Sequence, residues 1–171
     1  MWQKIKIHVI CMMSNEIIEM LDQNLVYLAT STPEGKPNVV PVGLCQAINE
    51  KQLIIIDVLF NKTRKNLEDN PLVALSFTDH KRMASYQLKG RAEIHTDGPI
   101  FQRMLEIREQ KEARMRSRMQ HGAAMTEEMK EKSERMKEWR KNLHPKAAVL
   151  ITVEEIYSHM PMLDSRTNIQ K

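Results

Sequence analysis

The sequence has few of the residues on which several common protein classes depend. Its 171 residues include only two cysteines, Cys11 and Cys45, which excludes a disulfide framework and a cysteine-based metal knuckle. It has five glycines and no glycine-rich loop of the P-loop or dinucleotide-binding type. Nucleophile elbows, HExxH sequences and Cys/His clusters with ligand spacing are also missing. These absences give no support to a Rossmann domain, a hydrolase or a metal enzyme.

Long apolar runs are absent as well. No run approaches the roughly 20 residues that a membrane-spanning helix requires. The apolar stretch near the N-terminus is short, is interrupted by Lys6 and His8, and lacks the small-residue cleavage site of a secretory signal. We therefore expect a soluble, cytoplasmic protein without a membrane partner, and we treat residues 1–13 as an N-terminal extension of uncertain role.

The net charge of +4 and the pI near 9.1 raise the question of nucleic-acid binding. The segment from Arg103 to Lys141 holds twelve basic and eight acidic residues, so its excess of four equals the net charge of the whole chain. Such mixed charge is typical of a solvated helix with ion pairs at i,i+4 spacing. The sequence therefore predicts no nucleic-acid partner.

Short apolar segments separated by turn residues predict a small antiparallel β-barrel of five or six strands. One capped helix precedes it, and a helical excursion precedes the last strand. Pro41 cannot donate to a strand ladder, so we expect it at a sheet edge or bulge. The predicted helices span 15–23, 63–68 and 100–142 with a break at His121 and Gly122, and the predicted strands span 25–30, 38–44, 53–59, 72–77, 86–95 and 147–153.

The segment 60–71 lies between two buried strands and contains the start of a helix. A helix that begins beside Lys62 and Thr63 offers free amide donors, the positive end of the helix dipole and an ammonium group to one anion. The same pattern also fits an ordinary helix start with surface lysines. Spacing alone leaves both interpretations open.

Four segments in the same order resemble the pyridoxamine 5'-phosphate oxidase-like FMN-binding proteins. They are residues 28–42, 57–71, 90–99 and 147–158. The resemblance implies a split β-barrel of mixed α+β class that forms a homodimer. Within this fold, residues 14–159 are the barrel domain, 100–143 a helical insert absent from minimal members, and 160–171 an irregular tail.

The resemblance also implies a binding site for FMN. Lys62 and Thr63 match the pair that holds the phosphate, and the backbone of residues 41–44 matches the strand that faces the isoalloxazine ring. Ser85 matches a polar residue that reaches the flavin of the partner subunit. Asp57 is either an edge residue or a hydrogen-bond partner of the ribityl chain. The candidate cofactor-binding residues are Pro41, Val42, Gly43, Leu44, Ile56, Asp57, Asn61, Lys62, Thr63 and Asn66.

The sequence departs from the family pattern in three respects. Lys62 stands where arginine is common, and Thr63 stands where lysine is common. The tail does not match the arginine-containing segment with which true pyridoxamine phosphate oxidases hold their substrate, so vitamin B6 oxidation is not expected.

Three functional hypotheses remain open. The first is an oxidoreductase that uses bound FMN to transfer a hydride or electrons to a small acceptor, with no catalytic side chain assigned because the flavin performs the redox chemistry. The second is a non-catalytic flavin-binding or electron-carrier module. The third is a family member that binds haem or a deazaflavin instead.

The insert carries a stripe of methionines on an otherwise charged helical segment. It is expected either to pack on the barrel or across the dimer, or to form an adaptable lid over the flavin. His121 and His144 are single histidines and are not assigned as ligands. The stripe consists of Met104, Met115, Met119, Met125, Met129 and Met136, with Trp139 and Leu143.

Overall fold

A computed structural model describes residues 12–120, 131, 134, 135, 138 and 143–158. In chain order the elements are α1 (Asn15–Gln23), β1 (Val26–Ser31), β2 (Pro37–Val42), β3 (Cys45–Ala47), β4 (Gln52–Asp57), α2 (Lys62–Asp69), β5 (Leu72–Asp79), β6 (Ala84–His95), α3 (Gly98–Gln120) and β7 (Ala147–Ser158). No helix among the described residues is long and apolar enough to span a membrane.

The strands form one antiparallel sheet in the order β2-β1-β5-β6-β7-β4-β3, which curls into a half-barrel. The predicted α+β split-barrel fold is confirmed. The sheet has one strand more than the upper predicted number, because the chain breaks its pairing at Gly43 and Leu44 and then resumes as β3 against β4. Strand β7 also runs five residues beyond its predicted end and pairs with β6 as far as Ser158.

Strand β2 lies at an edge of the sheet and carries Pro41, as predicted. Pro41 is the register partner of Tyr27 in β1. Since an edge strand pairs on one side only, a residue without an N–H donor is tolerated there. The turn between the two strands contains Gly35 at φ +85°, a conformation that suits glycine.

The core has two parts, one on each side of the sheet. Inside the barrel, Ile17, Met20 and Leu21 of α1 pack against the inward side chains of the strands. Ser14 caps this helix by accepting a hydrogen bond from the Ile17 amide. On the opposite side, Met104 and Ile107 of α3 pack on a smaller apolar cluster formed by Leu44, Ile54, Ala148 and Leu150.

Strand β4 is almost entirely apolar because both of its faces are covered by other parts of the protein. Leu53 and Ile55 face the barrel interior, whereas Ile54 faces α3, and all three are fully buried. A strand covered on both sides requires apolar residues at successive positions. The predicted doubly buried strand is therefore confirmed up to Asp57, where β4 ends, whereas Leu59 at its predicted end is 58% exposed.

Helix α3 corresponds to the first part of the predicted helical insert. Met104 of the methionine stripe is fully buried against the sheet. The predicted break at His121 and Gly122, and the methionines beyond it, lie outside the described residues. The start of the insert, with Met104 and Ile107, packs on the barrel of its own chain.

Candidate functional site

A cleft of about 530 Å³ lies between the edge strand β2, the end of β4 and the start of α2. Its polar side chains are Asn38, Asn61, Lys62 and Thr63. Its apolar walls include Val40, Pro41, Ile56, Leu59, Phe60 and Leu143. Lys62 is the only ionisable side chain among these lining residues, so the cleft offers a positive charge to a ligand.

The start of α2 supplies the polar part of the cleft. Asn61 precedes the helix and makes no side-chain capping hydrogen bond, and the first turn contains no acidic residue. The amides of this turn therefore have no side-chain acceptor from the cap. Lys62 is exposed beside them, whereas Thr63 is only 2% exposed. Free amides at the positive end of a helix dipole, next to an ammonium group, favour an anion.

A polar network beneath α2 orients the Thr63 hydroxyl. The Asn38 side-chain amide donates to Thr63 Oγ1 at 3.0 Å and to Thr30 Oγ1 at 3.2 Å. Since Thr63 Oγ1 accepts this hydrogen bond, its own proton is left to donate to another acceptor. Asn66 Nδ2 donates to the same Thr30 oxygen at 3.0 Å and ties the helix to β1.

Gly43 lies in the cleft wall, and no contact with the described residues requires a glycine at this position. Its φ is not in the left-handed region, and a Cβ built on it would meet no atom within 4 Å. Glycine often marks a close approach of a ligand to the backbone. The open space in front of Gly43 suits a flat ring system lying against the β2–β3 break.

The sequence matches the pyridoxamine 5'-phosphate oxidase family model over residues 13–160. The chain belongs to this family. The match includes every described strand and the whole of the cleft described above.

Three similar proteins extend the comparison. An uncharacterized protein of Methanocaldococcus jannaschii is 30% identical over 148 residues, which are 85% of this chain and 80% of the relative. The crystal structure of HupZ from Group A Streptococcus is 25% identical, covers 86% of this chain and 94% of its own, and gives a TM-score of 0.58. An FMN-binding protein of Syntrophomonas wolfei is 12% identical, covers 86% and 88% of the two chains, and has a TM-score of 0.54.

Six of the ten predicted cofactor-binding residues of this family member line the cleft. They are Pro41, Gly43, Ile56, Asn61, Lys62 and Thr63. The side chains of Val42 and Leu44 point away from it, into the barrel and towards α3. Asn66 lies behind the cleft in the network with Thr30.

Asp57 lies in the protein interior and not among the lining residues. Its side chain is fully buried at the end of β4. One carboxylate oxygen accepts the Phe60 amide at 3.0 Å, and the other accepts Arg64 Nη1 at 2.9 Å. Both oxygens therefore hold the start of α2 in place. A direct contact of Asp57 with a cofactor stays a prediction.

Ser85 lies on β6 outside the cleft, where its hydroxyl pairs with that of Thr78 at 3.1 Å. Its predicted contact with a partner's flavin stays a prediction. Sequence reasoning missed six lining residues, namely Asn38, Val40, Val58, Leu59, Phe60 and Leu143. In the sequence, Asn38 is only a polar residue near the start of an apolar strand, which is a weak indication of a binding role. Leu143 was assigned to the methionine stripe.

Proposed function

We propose that this protein is an FMN-binding flavoprotein and an oxidoreductase that passes a hydride or electrons to a small acceptor. The observation that carries the proposal is the Thr63 hydroxyl, oriented by Asn38 beside Lys62 at the uncapped start of α2. Two such donors and the helix amides suit the doubly charged phosphate of FMN. Affiliation with the pyridoxamine 5'-phosphate oxidase family supports flavin as the ligand class.

Each part of the cleft has a role in this proposal. Lys62 and Thr63 bind the phosphate, and Asp57 with Arg64 keeps the first turn of α2 in position. The backbone at Gly43 allows the isoalloxazine ring to approach, while Pro41 and Ile56 pack against it. Bound FMN would supply the redox chemistry. The protein binds and orients the cofactor and excludes water with its apolar walls.

We further propose that the protein is a homodimer whose partner completes the cleft. Tyr27 and Val39 are 44% and 60% exposed on the outer face of β1 and β2. Pro41 lines the cleft and pairs with Tyr27, so this face adjoins the cofactor site. A second copy would cover the face and its edge strand. Light scattering should report a dimer that Tyr27→Lys/Val39→Lys converts to a monomer, while Glu93→Lys on β6 does not.

The cofactor is tested by titrating the purified protein with FMN and with riboflavin, which lacks the phosphate. The wild type should prefer FMN, and Lys62→Ala/Thr63→Ala should lose that preference by about tenfold or more, since each charge-assisted hydrogen bond contributes about 1.5–3 kcal/mol. Lys65→Ala is the matched control, because Lys65 is an exposed lysine of α2 that does not line the cleft.

Failure of the wild type to bind FMN would overturn the cofactor assignment, and the absorbance spectrum would then reveal haem or a deazaflavin. Steady NAD(P)H consumption with an added acceptor supports the oxidoreductase. Tightly bound flavin without turnover would instead favour the electron-carrier module.

A further inference from the structure

Two cationic side chains of α3 reach backbone carbonyls on other segments of the chain. Arg108 Nη1 donates to the Leu143 carbonyl at 3.3 Å, and Lys111 Nζ donates to the Cys45 carbonyl at 3.0 Å. The two residues are three positions apart and therefore share a helix face. One face of α3 thus holds two separate segments.

Both segments border the cleft. Leu143 is itself a lining residue, and Cys45 follows directly on Gly43 and Leu44 at the break between β2 and β3. The Leu44 carbonyl accepts the Ile56 amide at 3.4 Å, and Ile56 also lines the cleft. Contacts of α3 therefore reach two separate segments of the cleft wall.

Each cation is held by a second partner, which restricts its movement. Lys111 Nζ lies 2.8 Å from Asp22 of α1, and Arg108 Nε lies 2.8 Å from Glu112 on its own helix. The side chains of Arg108 and Lys111 are 24% and 22% exposed. Met104 and Ile107, on the adjoining stripe of α3, pack on the cluster that contains Leu44. The helix is therefore a fixed support for both segments.

We infer that Arg108 and Lys111 are positioning residues that set the width of the cleft and hence the fit of the flavin ring. This inference rests on the proposed binding of FMN. It assigns the described part of the helical insert a role in cofactor fit that is separate from the phosphate contacts. Loss of the two donors should therefore affect the ring and leave recognition of the phosphate intact.

The test compares Arg108→Met/Lys111→Met with the wild type. Methionine keeps an unbranched apolar stem and removes the donor. We expect affinities for FMN and riboflavin to fall together by about tenfold, with an unchanged ratio between them and an altered visible circular dichroism of the bound flavin. Lys62→Ala/Thr63→Ala should change that ratio instead. Arg103→Met is the matched control, because Arg103 is 54% exposed and pairs with Glu106 on the same helix.

The conservative pair Arg108→Lys/Lys111→Arg retains a donor at each position and should restore most of the affinity and the wild-type dichroism. If the methionine pair does not fold, the conservative pair is measured in its place. A tenfold loss of affinity in the conservative pair, with a visible dichroism identical to that of Arg103→Met, would then contradict the inference. Methionine variants that fold and bind both flavins like the wild type overturn the inference alone. A wild type that binds neither flavin overturns the proposed function as well.

Discussion

Arg64 Nη1 lies 2.9 Å from Asp57 Oδ2 and so joins α2 to the end of β4. Hydrogen bonds to Glu68 and to Asp57 raise the pKa of Arg64 above its ordinary value. Asp57 also accepts the Phe60 amide, so one buried carboxylate holds both the turn before α2 and the helix itself. The position of Lys62 and Thr63 in the cleft therefore depends on an ion pair between the buried Asp57 carboxylate and the partly exposed Arg64.

Replacement of Asp57 should destabilise the protein strongly. Asp57→Ala leaves the Phe60 amide and the Arg64 guanidinium without this partner, and we expect a loss of about 2 kcal/mol in the free energy of unfolding. Glu68→Ala removes the other, exposed partner of Arg64 and should cost less than about 1 kcal/mol. Urea unfolding of the cofactor-free proteins measures both, and equal losses would contradict the structural role of Asp57.

Gly43→Ala should weaken FMN binding about tenfold or more while leaving the free energy of unfolding near the wild-type value. A methyl group at this position meets no protein atom but occupies the space proposed for the ring. Gly35→Ala should show the opposite behaviour, because its φ of +85° costs about 1 kcal/mol for a residue with a Cβ and it lies outside the cleft. Flavin titration and urea unfolding of both variants check the prediction, which fails if Gly43→Ala binds FMN normally.

Gly90→Ala should lower the free energy of unfolding by about 3 kcal/mol or more. Gly90 lies where the register of β6 and β7 shifts, and a Cβ there would overlap the Thr152 carbonyl oxygen on the neighbouring strand. Backbone atoms of a paired strand cannot move aside cheaply. Gly98→Ala, with positive φ and open space, reports backbone strain alone and should cost about 1 kcal/mol. Chemical denaturation distinguishes the two, and similar losses would contradict the steric explanation.

Stability should decline at alkaline pH through Cys45. Burial raises the pKa of its thiol to about 12, although the charge of Lys111 opposes the shift. Above about pH 9 the unfolded chain releases the thiol proton while the folded protein keeps it, so unfolding becomes easier by about 1.4 kcal/mol per pH unit. Below about pH 9 the thiol is protonated in both the folded and the unfolded state, and the contribution of Cys45 to stability is fully present. Urea unfolding of wild type and Cys45→Ala across pH 8–10.5 isolates the contribution of Cys45. If the free energies of unfolding of the two proteins depend on pH in parallel, the prediction is refuted.

Sequence patterns predicted the elements whose cause is local. Helix α1 has its predicted bounds because Ser14 caps it and its apolar residues recur at helical spacing. The edge position of Pro41 follows from its missing amide proton. The short strand β3 was not predicted, because its formation depends on pairing with β4 and not on its own three residues.

The candidate site also combines residues that are neighbours in the chain with residues that only the fold brings together. Asn61, Lys62 and Thr63 are consecutive, so the chemistry of a helix start was visible in the sequence. Asn38 and Thr63 are 25 positions apart, and Lys111 and Cys45 are 66 apart. No local pattern brings such residues together. The prediction for Asp57 rested on its place in the chain, whereas its environment depends on where Arg64 of α2 lies relative to the end of β4.

The sequence by itself determined the family, through the four segments that resemble it. It also determined the antiparallel half-barrel and the start of α2, because strand alternation, turn residues and helix capping act over a few positions. Only the tertiary structure decided which side chains share the cleft, that Asp57 faces inward, and that Arg108 and Lys111 of α3 contact Leu143 and Cys45. Those relations arise from strand register and from packing across the sheet, where contacts form between segments distant in the chain.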